Sequence, residues 1–389
     1  MADTETHPDP LSGARALDAE IRARAEEMDE ARRLPEDLAR KLAEIGVFRM
    51  VTPSYLGGLE MTPREIVETV EQLAMSNASV GWCGMIAATT AMNAAYMDKD
   101  TAAEIYSDPM AITGGVFAPM GKAEVDGEDY IVSGRWQWGS GSANCSWLCG
   151  GSLVFENGDM RRLPSGAPEN RMMVFPRADA ELIDTWHVAG LKGTGSGDIA
   201  VDAIRVPKLR SVSLTADKPV AEGALYAFPA FGLLSLGVAA VGMGNARGAI
   251  DAFVELATAK KSQGSKKTLS ERQIIQADVA KMEASLRSAR AYLFDEIDRT
   301  WDVAQFEGEI PLERRAKLRL ACTHMTRTGA EICRMAYDLG GGAALFLEND
   351  LQRRFRDAHA ATQHIVTAPA TYELTGRILL GLPTDGAMV

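Results

Sequence analysis

Histidine and cysteine are both scarce in this chain, with five of each in 389 residues. The cysteines are Cys83, Cys145, Cys149, Cys322 and Cys333, and they form no CxxC pair. An odd count at wide spacing is no disulfide framework and fits a reducing cytosol, with the thiols buried as packing residues. No spacing brings Cys and His together as a zinc site needs, so no metal is expected. Basic residues form no block: 41 Lys+Arg stand against 53 Asp+Glu, for a net charge of −12. That argues against a nucleic-acid binder that tracks phosphates. The sequence has no GxGxxG fingerprint after a strand, no Walker motif, no HExxH and no GxSxG. Most nicotinamide-binding, NTPase, zincin and α/β-hydrolase readings go with them. The opening MADTETHPDP has no apolar core, so a signal peptide is not expected and the cytoplasm is.

What is there is globular, with 46% hydrophobic and 24% charged residues. At roughly 100–200 residues per domain the length predicts two or three domains. One stretch, 223–246, has no charge over 24 residues. It is long enough to cross a bilayer. Pro229 and five glycines interrupt it, however, and no Lys/Arg cluster flanks it. A helix buried on all sides is expected instead, and no membrane partner.

Residues 1–111 read as helical. A charged helix is predicted over 17–29. Pro35 opens a second that Gly46 ends, and Thr62-Pro63 open a third whose Ile66, Val67, Val70 and Leu73 keep the 3.6 period. An uncharged helix follows over 79–97. From 112 to 222 the pattern changes to short runs punctuated by glycine, with Asp126-Gly127 as a turn signal. Strands are predicted near 147–155, 171–176 and 199–206. From 223 to 389 helix returns, over about 232–259, 270–300, 312–339, 345–361 and 369–380, with Gly340-Gly341-Gly342 between two of them. The expected fold class is therefore α+β multidomain in α-β-α order.

Four histidines remain as candidate bases once His7, near the N-terminus, is set aside: His187, His324, His359 and His364. GRWQWGSG, 134–141, is the densest local signal. Trp136 and Trp138, two apart in a strand, should share a face. They could cover a planar ring that backbone N–H groups or Ser140 bond at its edge, or they could be core residues before a turn. Gly190, Gly193, Gly195 and Gly197 crowd eight residues between strand-like runs. They form a ligand-covering loop or a plain connection. Arg356-Asp357 reads as a structural ion pair. His359 and His364 are five apart and would not share a helix face.

Taken in order, LPEDLARKLAEIGVFRMVTPSYLGGLEMTPREIVETVEQLA, GRWQWGSGSANCSWLCGG and DTWHVAGLKGTGSGDIAVDAIRVP resemble segments of the acyl-CoA dehydrogenase fold superfamily, over about residues 15–381. The third matches a characteristic W…GLrGTgS…VP segment. The resemblance implies an N-terminal helical domain, a central β-barrel-like domain and a C-terminal four-helix bundle. Two activities use that fold. In many of its dehydrogenases the catalytic glutamate would fall near Thr367, between Val366 and Ala368, where this chain has no carboxylate; Glu373 lies six residues on. RFRDAHAATQH is closer to the two-component flavin-dependent monooxygenases, in which a histidine of this segment is the base. His364 is the positional match.

That likeness implies an oxygenase component that takes reduced flavin from a separate NAD(P)H:flavin reductase. It would form a C4a-hydroperoxyflavin with O2 and hydroxylate a small, aromatic substrate. Trp138, Ser140 and Ser142 match the flavin-contacting turn, with Ser140 and its neighbouring amides at the peroxide. Gly193, Thr194 and Ser196 match the loop near the ring or phosphate. Gly341 matches a region that meets the partner subunit's flavin. Trp82, Thr90, Asn93 and His364 are the expected substrate contacts. The FAD diphosphate grip is reduced here to Lys260 and Gln263-Gly264, which favours FMN over FAD. A homotetramer, a dimer of dimers, is expected. The alternatives are an FAD-dependent acyl-CoA dehydrogenase and a non-catalytic binding or assembly subunit.

Overall fold

The computed structural model describes residues 8–261, 264, 266–386 and 389. His7 and Gln263, named above, lie outside them. Six helices come first: α1 (Pro10–Ala23), α2 (Ala25–Ala31), α3 (Glu36–Glu44), α4 (Pro63–Ser76), α5 (Ala78–Thr90) and α6 (Lys99–Tyr106). The single helix expected over 17–29 is two, because Arg24 leaves the helical conformation at φ −99°, ψ 12°. At α4 the Thr62 hydroxyl accepts the Glu65 amide at 3.3 Å and the Glu65 carboxylate accepts the Thr62 amide at 2.8 Å. Pro63 occupies the first turn. Two orphan amides are thus satisfied and a third never existed. The Asn77 carboxamide oxygen starts α5 by accepting the Ser79 amide at 2.9 Å. No charge interrupts α5, and it is buried almost all round.

Strands β1 (Thr113–Asp126), β2 (Asp129–Trp136), β3 (Trp147–Glu156), β4 (Asp159–Met160), β5 (Asn170–Pro176), β6 (Glu181–Ile183), β7 (Asp198–Pro207) and β8 (Ser211–Val212) form one sheet. Its order is β6-β7-β2-β1-β3-β5-β8, with β4 paired to β3. Only β1 and β3 run parallel. Gly127, at φ +59°, makes the tight β1–β2 turn. Fully buried Trp136 anchors the sheet's core. A Cβ at Gly121, Gly134 or Gly150 would sit 2.3–2.7 Å from its ring, so those glycines are what makes room for it. Its indole N–H donates to the Gly151 carbonyl at 2.7 Å, as a buried tryptophan requires.

The remaining helices are α7 (Ala224–Ala227), α8 (Ala230–Ala259), α9 (Gln273–Phe306), α10 (Leu312–Gly340), α11 (Asp350–Ala361) and α12 (Ala370–Leu379). The uncharged stretch lies mainly in α8, which packs against α4, α5, α9, α10 and α11. Of its most apolar 18-residue window, 89% is buried inside the protein. Small residues let those neighbours approach: a Cβ at Gly329 would lie 2.5 Å from the Gly242 carbonyl oxygen, and one at Gly244 2.1 Å from that of Glu71. The helix expected from 345 starts only at Asp350, because Asn349 caps the Leu351 amide at 2.9 Å. Leu345, Phe346 and Leu347 stay exposed before it.

Candidate active site

The two glycine-rich stretches are one structure. The Gly139 amide donates to the Gly197 carbonyl at 2.9 Å, and the Gly141 amide to that of Thr194 at 2.8 Å. Trp136 and Trp138 do not share a face, contrary to expectation. Strand β2 ends at Trp136, and Trp138 takes a left-handed φ of +68°, which breaks the alternation. One indole is therefore core, while the other is 58% exposed on the rim of the turn.

Beneath that rim lie three buried hydroxyls. Ser140 Oγ and Ser196 Oγ are 2.7 Å apart, and so are Ser196 Oγ and Thr194 Oγ1. Thr194 Oγ1 donates to the Leu191 carbonyl at 2.8 Å. From α5, the Trp82 indole N–H donates to Ser140 Oγ at 3.1 Å. The other edge of this site is His364, on the turn after α11. Its ring meets Trp82 edge-on, with centroids 5.6 Å apart. The structure thus brings together Ser140, Thr194, Ser196, Trp82 and His364 from four separate parts of the sequence. Burial pushes the His364 pKa down to about 4, and the Arg319 charge adds to the effect. The ring is therefore neutral at pH 7. Its Nδ1 accepts the Val366 amide at 3.4 Å, long for such a bond.

Arg356 and Asp357 are not an ion pair with each other. Arg356 Nη1 donates to the Ala189 carbonyl at 2.6 Å, and Asp357 Oδ1 accepts the Leu191 amide at 2.6 Å. Both hold the glycine-rich loop onto α11, at a crossing so close that a Cβ on Gly190 would lie 2.2 Å from the Arg356 carbonyl oxygen. Burial raises the Asp357 pKa to about 7, against the Leu191 hydrogen bond and two nearby arginines.

Other expected contacts are engaged elsewhere. The Thr90 hydroxyl donates to Ile86 O at 2.7 Å within its own helix, and buried Asn93 packs its carboxamide on Cys149 Sγ at 3.7 Å. Gly341 caps α10 with open space around it. It is about 30 Å along the helix from Arg319, at 1.5 Å per residue. Lys260 donates to the Gly340 carbonyl at 2.9 Å and so closes the same helix end. Ser142 is buried below the turn, and Gly193 packs on Ser79 and Met28. The amides of Ser140, Gly141 and Ser142 all donate to carbonyls of the turn and loop. They are not the free donors that the sequence suggested. Among the described residues the amides of Trp138 and Ser196 are two of those in the turn and loop that donate to no protein acceptor. Sequence reasoning missed Leu191 and Arg319. Leu191 lies within the glycine-rich segment but carries no chemical side chain, and Arg319 lies in no motif, so only the fold shows what each does at the site.

Residues 12–104 match the family described as acyl-CoA dehydrogenase, N-terminal domain, and residues 236–369 match acyl-CoA dehydrogenase, C-terminal domain. Indole-3-acetate monooxygenase of Pseudomonas putida is 33% identical over 92% of this chain and 90% of its own. The flavin-dependent monooxygenase oxygenase subunit HsaA of Mycobacterium tuberculosis is 30% identical over 95% of both. This chain belongs to that family of flavin-dependent monooxygenases. The crystal structure of HsaA monooxygenase from M. tuberculosis superposes with a TM-score of 0.88 over 98% of this chain and 99% of that one, at 28% identity. In this monooxygenase the site residues fit a flavin. Two unengaged amides, beside an exposed indole at a turn with room for close approach, suit a planar ring that carries acceptors on its edge.

Proposed function

We propose that this monooxygenase hydroxylates a small aromatic substrate with an acidic hydroxyl or ring N–H, using O2 and reduced flavin delivered by a separate NAD(P)H:flavin reductase. The relatives named above support the substrate class, as does the FADH2-dependent resorcinol hydroxylase oxygenase component of a Rhizobium strain, 28% identical. Use of Lys260 as a helix cap favours FMN over FAD. Reduced flavin, when bound, supplies the electrons that activate O2. Trp138 would cover the ring, and the Trp138 and Ser196 amides would hold its edge.

The observation that carries the reading is His364 packed against Trp82, whose indole N–H is fixed on Ser140. A neutral imidazole in a dry site can take a proton from a phenol or indole. The long Val366 contact is a weak hold on Nδ1, so a substrate hydroxyl competes for the ring's lone pair by shifting the tautomer. A phenolate beside the ring would then stabilise imidazolium and raise the depressed pKa. A dehydrogenase would need a carboxylate near Thr367, which is buried and has none beside it in sequence.

Division into domains 1–111, 112–222 and 223–389 is supported by the confinement, among the described residues, of all eight strands to residues 113–212. Exposed Phe306, Leu345, Phe346 and Leu347 support a homotetramer, and five free, buried thiols support the cytoplasm. The test is turnover of purified protein with reduced FMN and O2 against phenols, indoles, amines and thioethers. Hydroxylated phenol or indole is expected. Hydrogen peroxide alone across the panel contradicts the reading, and reduction of bound flavin by an acyl-CoA thioester would reinstate the dehydrogenase.

A further inference from the structure

The buried hydroxyls beneath the turn have a fixed direction. Each owns one hydrogen. The Leu191 carbonyl cannot donate, so Thr194 must give it its hydrogen across their 2.8 Å contact. Ser196, 2.7 Å from Thr194 Oγ1, must then donate to Thr194. Ser140, 2.7 Å from Ser196 Oγ, must donate to Ser196. At the head of the chain the Trp82 indole can only donate, and Ser140 accepts it at 3.1 Å. The tail is held as firmly. Leu191 O also accepts the Trp186 indole at 3.0 Å and the Thr194 amide at 3.2 Å, while the Leu191 amide is tied to Asp357 at 2.6 Å. Leu191 itself sits at φ +53°, a conformation that a branched side chain adopts only when its surroundings hold it there. Ser196 and Thr194 are 3% and 1% exposed, so neither has a solvent hydrogen bond to turn to, while Ser140 keeps a small exposed surface at the site.

Ser140 is left with one lone pair and no hydrogen to give. We propose that Thr194 and Ser196, anchored on the Leu191 carbonyl, make Ser140 an acceptor-only contact and so let the site discriminate reduced from oxidised flavin. Reduced isoalloxazine presents an N–H at N5, and the oxidised ring presents a lone pair there. An acceptor-only Ser140 bonds the first and repels the second. For Ser140 to serve the oxidised ring, the whole relay must reverse, and Thr194 Oγ1 must then face the Leu191 carbonyl oxygen at 2.8 Å with no hydrogen between them. Thr194 and Ser196 act through Ser140 and are positioning residues. The inference rests on the proposed binding of flavin at this turn.

The test is anaerobic titration of the protein with reduced FMN and aerobic titration with oxidised FMN, followed by protein fluorescence. The wild type should bind the reduced form tighter by on the order of tenfold, the worth of one hydrogen bond of this kind. Thr194→Val and Ser196→Ala each free the Ser140 hydrogen and should lose most of that ratio, chiefly by tighter binding of oxidised FMN. Thr194→Ser should keep it. Two variants guard against one that fails to fold. An unchanged ratio in either folded variant, or no preference in the wild type, overturns the proposal. Binding of neither flavin form by the wild type overturns the underlying reading as well, and is recognised by the lack of any titration signal.

Discussion

The Leu191 amide donates to the Asp357 carboxyl at 2.6 Å, joining the loop after β6 to helix α11. Seven residues beyond Asp357 comes His364, and three beyond Leu191 comes Thr194. One buried hydrogen bond therefore sets the distance between the hydroxyl relay and the candidate base. Replacing Asp357 with Ala leaves the Leu191 amide buried without an acceptor, which costs about 1–3 kcal/mol. Asp357→Asn keeps an acceptor oxygen. We expect urea unfolding to place Asp357→Ala well below Asp357→Asn in stability, and reduced-flavin affinity to fall in the same order.

Asp357 and His364 also give opposite pH dependences of stability. Burial lifts Asp357 from an ordinary 3.8 to about 7. Between those values the native state holds a proton that the unfolded chain has lost, so stability declines as pH rises through the window. His364 falls from 6.5 to about 4. Across that range the unfolded chain holds the extra proton, so stability drops as pH falls. Denaturant titrations from pH 4 to 8 should show Asp357→Asn removing the loss of stability as pH rises toward 7 and His364→Gln removing the loss as pH falls from 6.5 toward 4.

The two tryptophans of the turn should separate cleanly. Trp136→Ala empties a fully buried site between three glycines and should cost about 3–5 kcal/mol. Trp138→Ala removes a ring that is 58% exposed. It should leave thermal stability within about 0.5 kcal/mol of wild type while weakening flavin affinity. Calorimetry and flavin titration on the same two proteins check both halves.

Much of the fold was legible because its signals are local. Thr62-Pro63 before an apolar stripe is a helix start whatever surrounds it, and the glycine-interrupted run without charge in α8 is what a helix enclosed by five others requires. Of the site, His364, Ser140, Thr194 and Ser196 were found through residue pattern and family likeness. The pairing of Trp136 with Trp138 misled, because alternation holds only while a strand lasts, and one left-handed residue turned the second indole outward. Arg356-Asp357 looked like an ion pair for a similar reason: adjacent charges attract notice, but their partners, Ala189 and Leu191, are more than 160 residues away. Which backbone amides are free depends on the cross-links of turn to loop, and nothing in one dimension shows those.

His364 sets the expected kinetic profile. The free enzyme's pKa governs kcat/KM and that of the complex governs kcat. The acid limb of kcat/KM should therefore fall near pH 4, while that of kcat moves upward once an acidic substrate sits beside the ring. Coincident limbs would mean that substrate leaves the imidazole's surroundings unchanged.

The most direct test is the fate of oxygen in His364→Ala. With reduced FMN, O2 and a phenol or indole that the wild type hydroxylates, product and hydrogen peroxide are measured per flavin oxidised. The variant should still bind and oxidise the flavin but divert it to peroxide, with product down by ~10²–10⁴-fold, the usual worth of a positioned base. Undiminished product formation in His364→Ala would contradict the account.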